Sequence, residues 1–113
     1  MKALSVKQPW ANLIASGRKT IETRTWATRH RGPLLIVSSK KPNIAPAGSA
    51  VAVAKLVDCR RMTKADEADA CCSVYADAVS WILEDVRPIR PFPVKGSLGV
   101  YNVPYDPAEL EEL

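Results

Sequence analysis

Gly17-Arg18-Lys19-Thr20-Ile21-Glu22-Thr23-Arg24-Thr25-Trp26 is the densest polar stretch of the chain, and how it folds decides what kind of domain this is. From Thr20 to Arg24 threonines and isoleucine alternate with Glu22 and Arg24, the pattern of a strand. An extended backbone puts Thr20, Glu22 and Arg24 on one face and Ile21 and Thr23 on the other. An acid and an arginine on one face, with Lys19 at the turn, can build a polar site. The same residues can equally form a solvent-facing strand whose ion pair is worth little.

Upstream, Gly17 suits the left-handed backbone that ends a helix. That helix is predicted over Pro9 to Ser16, with Pro9 in the first turn, where its missing N–H costs nothing. Trp10, Leu13, Ile14 and Ala11 have the spacing of its inward face. Before it, Lys2 to Val6 alternates like a short strand. Lys7, Gln8 and Trp10 therefore cluster where a strand meets a helix N-terminus, whose free N–H groups favour anions. By spacing Trp10 is a core residue; if exposed, it can stack on a base, and the Gln8 amide can read a base edge.

Downstream, Arg29 to Gly32 is a basic turn, and Pro33 to Ser39 is a continuous apolar run, hence a buried strand. Lys40 to Gly48 reads as a loop. Ser49 to Val57 is a strand whose alanines point to tight packing. Met62 to Ser73 is weakly helical, with Thr63 as its N-cap. Trp81 to Arg87 alternates as a strand, after an ambiguous stretch from Ala76 to Ser80. Pro88, Pro91 and Pro93 argue against regular structure from Arg87 to Gly96. Leu98 to Val103 is a last strand, and the acidic tail from Asp106 is expected to fray. Five or six short strands and two helices, with few parallel crossovers, favour a small mixed barrel over a doubly wound sheet.

The 113 residues are one domain's worth, and 47% of them are apolar, which excludes wholesale disorder. Neither a membrane-spanning run nor the apolar region of a signal peptide is present, so the expected location is the cytoplasm. Cys59, Cys71 and Cys72 are odd in number and two are adjacent, unlike a disulfide framework. With His30 the only histidine and no C-x-x-C pair, no zinc site is expected. A reactive vicinal pair at Cys71-Cys72 is the lesser possibility. The net charge of +4 hides an asymmetry: 12 Lys and Arg against two acids through Arg61, then four against ten. A basic half attracts polyanions. Arg29, His30, Arg31, Lys40 and Lys41 are loop cations suited to phosphates, or simply solvated. There is no glycine-rich phosphate loop and no context for a nucleophilic triad.

Four of these motifs, in order, resemble one family. They are Ser5-Val6-Lys7-Gln8-Pro9-Trp10-Ala11, then Gly17-x-Lys19-x-x-Glu22-x-Arg24, then Arg31-Gly32-Pro33-Leu34, and finally Trp81-Ile82-Leu83 with the segment Pro91 to Gly99. Together they are similar to the ASCH domain, a branch of the PUA-like superfamily. The resemblance spans nearly the whole chain, excepting about 60–75 and the tail. It implies an α+β fold over residues 1–105, a β-barrel-like core of five or six strands with two flanking helices, followed by the acidic tail 106–113. It also implies a cleft lined by Lys19, Glu22 and Arg24, with Lys7, Gln8 and Trp10 at its helix end, and kinship with RNA-binding modules.

One branch of the family hydrolyses N4-acetylcytidine with a lysine, a threonine three residues later and a distant glutamate. Lys19 matches the lysine, Glu22 stands where the threonine would be, and Glu84 is the candidate distant acid. The expected function is thus a module for RNA, other nucleic acid or a nucleobase. Lys7, Arg29, Arg31 and Lys40 would meet phosphates, Trp10 or Trp26 would stack, and Gln8, Glu22 and Arg24 would orient a base. The alternatives are a small hydrolase of a modified nucleoside, or a ribonuclease-like activity, with Lys19 and Glu22 catalytic, and a protein-interaction domain. No cofactor, metal or membrane partner is expected.

Overall fold

A computed structural model describes residues 1–113. Strand β1 (Lys2–Val6) leads into helix α1 (Trp10–Ala15), then β2 (Ile21–Arg24), β3 (Gly32–Ser38) and β4 (Ser49–Arg61). A 3-10 turn (Lys64–Asp66) opens α2 (Glu67–Ala70), followed by β5 (Val79–Pro93), β6 (Val100–Asn102) and a last 3-10 turn (Pro107–Glu109). The six strands form one mixed sheet in the order β2-β5-β4-β3-β1-β6. Only β1 and β3 run parallel; every other pair is antiparallel. The sheet is a curled half-barrel with β2 and β6 as its free edges, in keeping with the small mixed barrel expected.

The apolar run of β3 organises the interior. Leu34 and Ile36 face one way, into a cluster with Leu4, Val6, Ala11, Ile14, Leu56, Trp81 and Leu83. Leu35 and Val37 face the other way, against Ala3, Ala50, Ile89, Val94 and Val103. A strand buried on both faces needs no polar alternation, which is why the run is continuous. Each Leu or Ile buried here contributes about 2 kcal/mol. The alanines of β4 let α1 lie close, since Ala52 and Ala54 share the cluster with Ala11 and Ile14.

Helix α1 is shorter than predicted. Pro9 is its N-cap, and Gly17, at φ +82°, follows the end as the sequence pattern requires. Only Ala11 and Ile14 are buried; Trp10 is exposed. At the helix N-terminus the N–H groups of Ala11, Asn12 and Leu13 already donate to Lys7 O, Gln8 Oε1 and Pro9 O, so these three are engaged within the fold.

Two expectations are corrected on the C-terminal side. Strand β5 continues to Pro93 despite its three prolines. Its pairing with β4 is irregular there: between Ala50↔Phe92 and Ala52↔Pro88 one β4 residue stands against three of β5. Beyond Ile82 the other side of β5 is free of β2. Prolines sit at bulges and free edges because the missing N–H has no ladder partner to disappoint. Nor is the acidic tail frayed. Arg90 N donates to Glu111 O at 2.7 Å and Leu113 N to Pro88 O at 3.1 Å. Glu112 meets Arg87 at 2.8 Å and Glu111 meets Arg90 at 3.1 Å.

Candidate functional site

The turn after α1 drops Lys19 into the space beneath α2. Its backbone N–H donates to Leu13 O at 3.0 Å, and its ammonium donates to Ala70 O. Lys19 is only 1% exposed. Three residues on, Glu22 is 6% exposed, and its Oε1 lies 3.5 Å from Lys19 Nζ. Glu22 Oε2 accepts from Arg24 Nε at 3.1 Å and from Arg24 Nη2 at 3.0 Å. Arg24 Nη2 also donates to Ser5 O at 2.7 Å, which ties β2 to β1 across the opening. One carboxylate therefore holds two cations, and the trio carries a net charge of about +1.

These three side chains line a cleft of about 420 Å³, with Lys7 and Trp10 at one end and Tyr75 and Cys72 from the segment after α2. That volume is in the roughly 300–1,000 Å³ range of small-ligand pockets. Ser5, Thr23, Ser39, Ser97, Leu98 and Gly99 complete the lining together with Val6. An ammonium has three donors, and those of Lys19 are not exhausted by Ala70 O and Glu22. Trp10, 38% exposed, presents an aromatic surface at the rim.

Of the residues singled out in the sequence, Lys7, Trp10, Lys19, Glu22 and Arg24 come together here. Gln8 does not: it is buried, its Nε2 donates to Ser38 Oγ at 3.0 Å and its Oε1 accepts from Asn12 N at 3.0 Å. Each end of its amide holds the β1–α1 corner, and the side chain does not reach the cleft. Trp26 is not in the lining; it packs edge-on against Trp81 with centroids 4.9 Å apart, and its carbonyl accepts from Trp81 Nε1 at 3.0 Å. Arg31 turns back to Thr28 O and His30 O and approaches Asp58 at 3.8 Å, outside the cleft. Arg29 is exposed and likewise outside it, and Lys40 lines a neighbouring groove. Glu84 is exposed on β5, in register with Lys55 of β4, so it supplies no distant acid to the cleft.

Several lining residues escaped the sequence. Strict alternation puts Thr23 on the far face of β2, yet it lines the cleft with Glu22 and Arg24; β2 is an edge strand, and Thr23 Oγ1 lies 3.8 Å from Cys72 Sγ across that edge. Tyr75 and Ser97 come from irregular segments that carry no periodicity. Leu98 did carry a signal: a lone leucine between Gly96 and Gly99 in a polar loop, and it is 96% exposed. The three cysteines are free thiols, and no group of His, Cys, Asp and Glu is arranged to hold a metal. No helix is long and apolar enough to cross a membrane.

Against known proteins, the family described as ASCH domain matches residues 4–93. Activating signal cointegrator 1 of Homo sapiens is 28% identical over 126 aligned positions, and that of Mus musculus is 28% identical over 127. Each alignment covers 88% of this chain, which spans only 22% of the relative's length. Among solved structures, ASCH from Zymomonas mobilis superposes with a TM-score of 0.65 at 21% identity, covering 82% of this chain and 73% of that one. A mutant of the same Zymomonas protein gives 0.64 at 21% identity, over 82% and 75%. At that identity the likeness shows the fold: a curled, PUA-like sheet with its helices. The match over residues 4–93, the four ordered motifs and the sheet agree, and the chain belongs to the ASCH domain family.

Proposed function

We propose that this domain binds nucleic acid, RNA in the first instance, by taking an unpaired base into the cleft. The single observation that carries this is the pairing of an exposed aromatic, Trp10, with a fixed trio of opposite charges in one 420 Å³ cleft. A site for bare phosphate gains nothing from a carboxylate among its cations, because the carboxylate repels the ligand. A site for a base does, because Glu22 fixes the donors of Lys19 and Arg24 that meet base acceptors. Trp10 then stacks on the base, and Lys7, exposed at the rim, meets the backbone. The basic N-terminal half supports the same choice of partner.

The test is a fluorescence titration with single-stranded RNA, duplex RNA and N4-acetylcytidine at low and moderate salt, with the acetylcytidine checked for turnover. The expected result is salt-sensitive quenching by single strands, abolished in Trp10→Phe, with no turnover. Turnover that disappears in Lys19→Ala would replace this reading by the hydrolase. Quenching indifferent to residue 10 would remove the base from the cleft.

A further inference from the structure

A second depression, of about 510 Å³, adjoins the cleft. The two share Ser5, Ser39, Ser97 and Leu98, so together they form one continuous trough. Their chemistry differs. The cleft contains Glu22, whereas no carboxylate lines the groove. The groove instead presents Lys40 and Lys95, both exposed and neither engaged in an ion pair.

Hydroxyls lie beside the two lysines. Ser38 is wholly buried behind the groove wall, where its Oγ accepts from Gln8 Nε2 at 3.0 Å. The hydroxyls of Ser39 and Ser97 make no hydrogen bond within the fold. These two hydroxyls, facing the groove, can donate to an anion held by the lysines. Lys40 is held in place as well. Its stem lies across Gly48, at φ +69°, where an added Cβ would come within 3.2 Å of Lys40 Cγ. Gly48 in turn fastens both walls: its N–H donates to Ser38 O at 2.8 Å, and its carbonyl accepts from Val94 N at 3.0 Å.

From this division of chemistry we infer that the groove binds the phosphodiester adjoining the base in the cleft. The ligand is therefore a strand, a dinucleotide step at the least, and not a free base or nucleoside. The inference rests on the reading of the cleft given above. It assigns Lys40, Lys95, Ser39 and Ser97 to the phosphate and leaves the base to the cleft.

The test titrates the whole chain with uridine, with the dinucleotide UpU, with an oligouridine strand and with inorganic phosphate. It compares wild type, the double variant Lys40→Ala/Lys95→Ala, and Lys55→Ala as a control on an exposed lysine elsewhere. UpU is expected to bind about 10-fold more tightly than uridine, and the double variant to lose that advantage while binding uridine unchanged. For the oligouridine strand, the slope of log K against log salt should flatten by about 1.4, or about 0.7 for each contact removed. Lys55→Ala should change neither. Equal binding of uridine and UpU, or a double variant that keeps both advantage and slope, would overturn the inference while Trp10-dependent quenching by uridine still upheld the cleft. Inorganic phosphate binding as tightly as UpU would also overturn it, in favour of an isolated anion site. If Trp10 responds to no ligand, the cleft reading fails and this assignment fails with it.

Discussion

Glu22 and Asp66 are a matched pair with different uses. Both are carboxylates almost out of water, at 6% and 5% exposure, and both are gripped by an arginine. Asp66 takes Arg60 through two bonds of 2.8 and 2.9 Å, the Thr63 N–H at 3.0 Å and the Ser80 hydroxyl at 3.0 Å. It borders neither the cleft nor the groove. Its partners belong to β4, the turn before α2, and β5, so it fastens three segments together. Glu22 is bound as firmly, yet its partners Lys19 and Arg24 line an open cleft. Burial of an acid does not by itself mark a functional site. What separates the two is whether the cations around the acid still have donors facing a space that a ligand can enter.

The largest effect should come from cutting the open pair on one side only. Glu22→Ala leaves the Lys19 ammonium buried without its counter-charge, and urea unfolding should show a loss of about 3 kcal/mol. Lys19→Met/Glu22→Gln removes the stranded charge and should return to within about 1 kcal/mol of wild type while base binding stays lost. If Glu22→Ala unfolds like wild type, the pair does not act as a buried one and the contrast with Asp66 collapses.

Asp66→Asn should cost about 2 kcal/mol through weakened charged hydrogen bonds, with affinity for single-stranded RNA unchanged within about two-fold. A large loss of affinity there would mean that the closed centre also serves the ligand. The same residue sets an acid response. The Arg60 hydrogen bonds, then the Thr63 N–H, hold its carboxyl down to about 2 from 3.8. A lowered folded-state value stabilises the fold above the unfolded value, and that stabilisation fades as pH falls from about 4 towards 2. Unfolding free energies at pH 5 and pH 2.5 should therefore converge between wild type and Asp66→Asn.

Smaller effects sharpen the open side. Trp10→Ala should weaken strand binding about 10-fold by loss of stacking, and change stability by less than about 1 kcal/mol because its ring is already exposed. Smallest of all, Lys7→Ala should flatten the salt slope by about 0.7, whereas Arg31→Ala, directed at its own loop and Asp58, should leave the slope alone.

Much of the frame could be read from local pattern. The run Leu34 to Val37 declared a buried strand and Gly17 a helix end, whereas the grouping of Lys19, Glu22 and Arg24 came from the resemblance to the family, since pattern alone also allowed a solvent-facing strand. Other features depend on partners far away in sequence. Trp10 has the spacing of a core residue, but a six-residue helix exposes one end, and only Ala11 and Ile14 reach the interior. Gln8 has the chemistry of a base reader, but a buried corner between β1 and α1 takes both of its amide atoms. Pro88 and Pro91 are strand breakers where both edges of a strand are paired. In β5 they fall where β4 bulges away and the tail supplies the neighbouring bonds. Tyr75 and Ser97 reach the cleft only because α2 and β6 dock where they do.

The order of the sheet also bears on how the molecule comes into being. Strand β1, the first of the six in chain order, lies between β3 and β6, with Lys2 paired to Asn102. Synthesis delivers the two ends of this pairing a hundred residues apart, and contacts of such long range form late. The cleft shares that fate, since Leu98 and Gly99 close one wall just before β6 begins. A nascent chain emerging from the ribosome can already carry Lys19, Glu22 and Arg24 and still lack that wall. The cleft is therefore complete only when both ends of the domain are in place.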